Sequence, residues 1–231
     1  MRTVEQAIAA AKRQVDDASR DWTGLCLAFV RTVWGIEPTG IPHANAGWER
    51  STKRHDDLRP AKGAPVYWKV GQYGHVALSA GGGAVYTTDF KRRGKVDVVS
   101  IGAITSGWNA DYRGWTEDYC GNGDLPVKVP ARQQVSLSQL VEAARKDPGR
   151  AQGGTTDGAV KDVKIVERAL YTEGLLRPRR YSRDGSFGSL TVDAYSAWQQ
   201  RLGYSGPDAD GIPGVVSLQR LGRRHRFSVV D

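Results

Sequence analysis

Long apolar runs are missing from this 231-residue chain. No stretch of about 18 consecutive apolar residues occurs, so no membrane-crossing helix is expected. The opening segment, MRTVEQAIAAAKRQVDDASR, spreads its charges throughout and has no central apolar block. It does not read as a secretory leader, and synthesis in the cytoplasm is the expectation. Cysteine is scarce, and two residues, Cys26 and Cys120, do not make a disulfide scaffold. Neither CxxC nor HxxxH occurs, so no structural zinc site is expected.

Acidic residues are fewer than basic ones, and unevenly so. Residues 1–126 carry 16 Lys and Arg against 14 Asp and Glu, whereas residues 127–231 carry 17 against 11. The basic excess of the second half favours an anionic partner there. A nucleic-acid binder is one class that charge alone suggests. No helix-turn-helix with a basic recognition face and no aromatic–basic strand pair supports it, so nucleic acid is not the expected partner.

Hydrophobic spacing predicts a helix over residues 3–18, with Val4, Ala7, Ile8, Ala11 and Val15 on one stripe. A turn at 19–24 precedes a second helix from about Leu25 to Val33, closed by Gly35. Residues 36–62 read as mixed loop. Short strands are expected at 64–70, 75–80, 84–89 and 96–101, separated by glycine-rich turns. Helices followed by a strand meander predict an α+β domain with an antiparallel sheet.

The segment GNGDLPVKVP marks a boundary, giving domains of 1–127 and 128–231 with linker-like stretches at 121–134 and 150–158. The second domain reads as smaller and mainly α-helical. One helix lies near 137–147, capped by Ser136 or Ser138, and another at about 160–176. Leu170, Leu175, Leu176, Phe187, Tyr195, Trp198 and Leu202 fit its core. Two segments share the form D-G-x-x-G-x-x-[ST], from Asp184 and from Asp210, and read as structural turns rather than calcium loops. Arg177, Arg179, Arg180 and Arg183 form a basic run before the first of them.

Cys26 sits at a helix start after Gly24, where unpaired N–H groups can favour a thiolate and receive an oxyanion. His75 opens an apolar strand, and Asp89 ends the next one. The order nucleophile, base, orienter suits thiol catalysis. His43 and His55 read as loop histidines and His225 as a surface residue of a basic tail. Cys120, in the polar stretch EDYCGNGD, reads as incidental. Of the aromatics near these segments, Trp48 and Tyr73 are the candidates for a substrate groove.

WTGLCLAFV, KGAPVYW and YGHVALSAGGG resemble the CHAP family of bacterial cell-wall hydrolases and its NlpC-type relatives. The resemblance covers most of residues 20–126. The C-terminal repeat resembles the helical peptidoglycan-binding modules that accompany such enzymes, and the pairing is similar to that of phage endolysins of actinobacterial-type hosts. The resemblance implies a papain-like N-terminal fold, with Cys26 as nucleophile, His75 as base and Asp89 as third residue; Thr87, on the same strand face, is the alternative under the NlpC-type offset. It implies a monomeric peptidoglycan endopeptidase or N-acetylmuramoyl-L-alanine amidase, bound to wall and anionic wall polymer and released by holin-type export. Some CHAP members bind Ca2+ before the cysteine. Asp16, Asp17 and Asp21 lie there without the alternating pattern, so no metal or other cofactor is expected. The other class left open is a wall-binding protein with a degenerate hydrolase domain.

Overall fold

Thr3 begins the first helix by a reciprocal cap: its hydroxyl accepts the Gln6 N–H at 3.2 Å and its own N–H donates to Gln6 Oε1 at 3.0 Å. The computed structural model describes residues 1–17 and 19–231. The chain divides into two compact units, Met1–Pro130 and Ala131–Asp231.

In the first unit α1 (Val4–Asp16) is followed by α2 (Cys26–Trp34) and α3 (Ala44–Arg50). Then come β1 (Arg54–His55), β2 (Pro65–Lys69), β3 (His75–Gly81), β4 (Ala84–Thr88), β5 (Val96–Ser100), α4 (Ile101–Gly107) and β6 (Asp111–Thr116). The last residue of the expected first helix, Ala18, lies outside the described residues. The strands form one sheet in the order β1-β6-β2-β3-β4-β5, with every neighbouring pair antiparallel. The fold is α+β. Residues 36–62, expected as loop, contain α3 and β1, and β6 was not foreseen. DYRGWT has no alternation, and its Gly114 sits at φ +130, where a Cβ would meet the His55 carbonyl oxygen at 2.0 Å.

Both faces of the sheet are covered. Tyr67, Val76, Leu78 and Tyr86 share one core with Ala7, Ala11, Phe29, Val30 and Trp34 of the first two helices. Val66, Trp68, Ala77, Val85 and Val99 share the other with Ile101 and Ile104 of α4. Burial on both faces explains why these strands read as nearly continuous apolar runs. A buried indole removes about 200 Å² from water, a gross gain of about 5 kcal/mol before entropy is subtracted. Trp22, Trp34, Trp68 and Trp115 are all fully buried.

The second unit holds β7 (Gln133–Ser136), α5 (Leu137–Lys146), α6 (Val160–Thr172), α7 (Ser189–Arg201), α8 (Val215–His225) and β8 (Phe227–Val230). β7 pairs in parallel with β8, so the end of the stretch expected to be linker is a strand. Ser136 caps α5, accepting the Gln139 N–H at 3.2 Å. In the loop at 150–158, Thr156 is buried and its hydroxyl donates to Asp147 Oδ1 at 2.7 Å. His225, expected at the surface, is buried and bonds Glu173 Oε1 through Nε2 at 2.8 Å.

The repeat is structural. Asp184 accepts from the Ser186 N–H at 3.0 Å and Asp210 from the Ile212 N–H at 2.8 Å. Gly185 and Gly211 lie at φ +83 and +81, and a Cβ on either would strike Val160 or Val192. Each glycine N–H also donates to a side chain of the preceding helix: Gly185 to Glu167 Oε2 at 2.9 Å and Gly211 to Gln199 Oε1 at 2.7 Å. The Gln199 amide then donates towards Asp210 Oδ1 at 3.5 Å. Glu167 imitates that amide. Burial and the neighbouring Asp184 carboxylate raise its carboxyl to about 9, so it carries the proton that faces Asp184.

This makes a stability prediction. A group raised from 4.5 to about 9 on folding contributes fully below 4.5, and its contribution is lost as pH rises towards 9. Glu167→Gln removes that dependence. At pH 7 the variant should exceed the parent by on the order of 2–3 kcal/mol, the gap closing near pH 4. Urea unfolding at the two pH values measures it.

Candidate functional site

Cys26 is the first residue of α2. Leu25 precedes it without a side-chain cap, and Gly24 turns the chain at φ +67. The N–H groups of the first turn are therefore not taken by a capping side chain. Hydrogen bonds from the backbone of Val76, Leu27 and Cys26 itself favour the thiolate. Burial and the nearby Asp89 carboxylate oppose it, burial being the largest effect, and the thiol is raised above its ordinary value.

His75 opens β3 opposite Trp68 of β2. Gly74 before it lies at φ +70, and a Cβ there would sit 2.3 Å from Asn45 Oδ1. Only glycine lets the chain enter the strand at this angle. The imidazole is buried, with Trp108 edge-on at 4.9 Å and Trp68 at 6.1 Å. Its Nε2 lies 2.7 Å from Thr87 Oγ1. That hydroxyl has a donor contact of its own, to the Thr88 carbonyl at 3.4 Å. With the hydroxyl turned to that carbonyl, the threonine oxygen accepts from Nε2–H and Nδ1 keeps its lone pair; in the other tautomer the hydroxyl donates to Nε2. Burial lowers the imidazole to about 3, so it is neutral across the physiological range.

Cys26 comes from the sheet face that carries α1 and α2. His75, alternating with Val76, comes from the face that carries α4. Both line one cavity of about 660 Å³. Tyr73, 60% exposed, lies in the same lining.

Of the other two expected residues, Asp89 lines this cavity without bonding the imidazole, and Trp48 is not in its lining. Continued in register, β4 would bring Asp89 directly across from His75. It does not continue, because Asp89 turns to φ +63. Its carboxylate leaves the imidazole and accepts instead from the Gly24 N–H at 3.0 Å and the Gly94 N–H at 2.7 Å. The group bonded to the imidazole is Thr87, and Asp89 holds the turn before Cys26. Trp48 is not a groove residue. It packs on Tyr67 at 5.5 Å, between the guanidinium groups of Arg54 and Arg113.

Other residues arrive unannounced. His43 lines the cavity, caps α3 by accepting the Ala46 N–H at 3.2 Å on Nδ1, and lies 5.5 Å from the Tyr73 ring. Arg31, Trp108 and Tyr119 also line it. The Tyr119 hydroxyl donates to the Leu27 carbonyl at 3.0 Å. His43 follows Pro42 and precedes a helix, a capping signal that was there to be read. His55 stacks on Trp115 at 3.9 Å and meets Glu117 at 2.7 Å, so it is no loose loop histidine. Cys120 is buried, 3.8 Å from the Tyr67 hydroxyl, and both cysteines are free thiols. Asp17 and Asp21 accept hydrogen bonds from Ser19 and Thr23 in their own turns. Among the described residues no three His, Cys, Asp or Glu side chains group as a metal site.

The sequence matches no protein-family model and no curated protein.

A neutral thiol beside a neutral imidazole has a distinctive pH signature. With the thiol raised and His75 at about 3, Cys26 alkylation by iodoacetamide should climb only above about pH 9. A plateau of reactivity between pH 5 and 7 would show a preformed thiolate–imidazolium pair instead. Cys120, also raised, to about 11, is separated from Cys26 by peptide mapping.

Proposed function

We propose that the first unit is a papain-like cysteine hydrolase that cleaves an amide bond of bacterial peptidoglycan, and that the second unit binds the wall. The observation that carries this reading is the convergence of Cys26 and His75 on one open cavity, with Nε2 of the imidazole committed to Thr87. Nδ1 is the nitrogen free to take the thiol proton. The sulfur then attacks the carbonyl carbon. The oxyanion is received at the start of α2 by the Cys26 N–H and a neighbouring donor. The imidazolium returns its proton to the leaving amine. Water, deprotonated by the same Nδ1, cleaves the thioester and restores the thiol. Thr87 holds the ring in the productive tautomer, while Asp89 positions the turn that carries the nucleophile.

A wall-binding protein with an inert pocket is the second reading, favoured by the raised thiol. One experiment separates them. Purified actinobacterial wall is digested with parent and variants, and released fragments are identified by mass spectrometry. Cys26→Ala should lower release by on the order of 10³-fold or more, and Thr87→Val by about 10- to 100-fold. Undiminished release by Cys26→Ala overturns the thiol mechanism, and no release by the parent leaves only the binding reading.

A further inference from the structure

The two charged groups of the cavity around Cys26 differ in how they are held. Among the described residues, Arg31 is the only lysine or arginine in its lining and Asp89 the only carboxylate. Asp89 is already satisfied by the N–H groups of Gly24 and Gly94. Arg31 is not. Its Nη1 donates to the Ile36 carbonyl at 3.1 Å, and among the described residues it meets no carboxylate. A guanidinium has five N–H donors. One bond to a carbonyl anchors this one and leaves its charge and most of its donors uncompensated.

Its position along α2 fixes where a ligand would be held. Arg31 lies five residues beyond Cys26 on the same helix. At about 1.5 Å and about 100° per residue, Arg31 leaves the helix about 8 Å along the axis and about 140° around it from Cys26, and reaches the lining by the length of its side chain. An extended peptide covers the axial offset in about two residues. The loop that follows α2 supplies Pro38, Thr39, Gly40, Ile41 and Pro42 to the same lining. Two prolines limit how far that wall can move.

We propose that Arg31 is a specificity residue that recognises a free carboxylate on the substrate peptide, about two residues from the carbonyl attacked by Cys26. The proposal rests on the hydrolase reading for the identity of the ligand. Peptidoglycan stem peptides carry such groups, because γ-linked D-glutamate leaves its α-carboxyl free and the chain ends in a carboxylate. Amidation of either abolishes the charge at almost constant shape.

The test separates recognition from chemistry. The Cys26→Ala protein is titrated calorimetrically with L-Ala-γ-D-Glu-L-Lys-D-Ala, with the same peptide amidated at the glutamate α-carboxyl, and with the C-terminal amide. One amidation should weaken binding by about 10- to 100-fold, as expected for a charge-assisted contact. Arg31→Gln in the same background should bind all three alike, and Arg31→Lys should recover part of the preference. Equal affinity for all three peptides, or discrimination that survives Arg31→Gln, overturns the proposal. Cleavage of the preferred peptide by the parent is scored separately. Discrimination without cleavage removes the hydrolase reading and leaves the carboxylate subsite standing; no binding of any peptide removes both.

Discussion

The carboxylate of Asp89 joins two segments that sequence keeps far apart. One oxygen holds the Gly24 N–H, in the turn that launches α2; the other holds the Gly94 N–H, in the turn between β4 and β5. The Trp22 N–H adds a third tie, to the Gly94 carbonyl at 2.9 Å. Hydrogen bonds to a charged acceptor contribute about 1.5–3 kcal/mol each. β4, which ends just before Asp89, also carries Thr87, which bonds His75. A single residue therefore sets the helix of Cys26 against the strand that holds the imidazole. The left-handed backbone at Asp89 is what frees its carboxylate for this work, a conformation aspartate tolerates better than most residues.

That arrangement also explains why the imidazole is neutral. A carboxylate across from His75 would favour the charged ring, whereas a threonine hydroxyl adds direction without charge. Trp108 and Trp68 exclude water from the ring. Under the proposed reaction, charge appears at the sulfur and the imidazole only when a substrate closes the cavity. The stabilising groups are then fixed dipoles at the start of α2 rather than a resting ion pair. The arrangement favours general-base transfer from a neutral thiol over attack by a preformed thiolate.

Local signals were legible in the sequence and distant ones were not. The glycine closing α2, the serine cap of α5 and the strands β2 to β5 all follow from residue type and spacing. Cys26 and His75 were recognisable because a helix start and a glycine-led strand leave marks within a few residues. Which of Thr87 and Asp89 bonds the imidazole was not, since it depends on whether β4 runs one residue further. That is decided by the turn to φ +63 at Asp89, which its bonds to Gly24 and Gly94 accompany. Trp48 was misplaced for a similar reason. Its neighbours Tyr67 and Arg113 come from β2 and β6, which no local window around residue 48 contains. His225 looks exposed in RRHRF, yet it is buried against Glu173, 52 residues away.

In the second unit the polar residues divide into two groups with different work. Those of the repeated turns hold the backbone: Asp184, Glu167, Gln199 and Asp210 each accept from an N–H of their own turn or of the neighbouring one. Glu173 is likewise occupied, by Arg201, Arg224 and His225, and these bonds hold its carboxyl at about 2 despite burial. The arginines of the 177–183 run are different. Arg177, Arg179, Arg180 and Arg183 are all exposed, and among the described residues none pairs with a carboxylate. Arg177 and Arg180 lie over the rings of Tyr171 and Tyr181, which limits their freedom without neutralising them. Under the wall-binding reading, an anionic polymer would therefore be met by this run rather than by the repeat. The repeat builds the scaffold, and the basic excess of the second half is left for the surface.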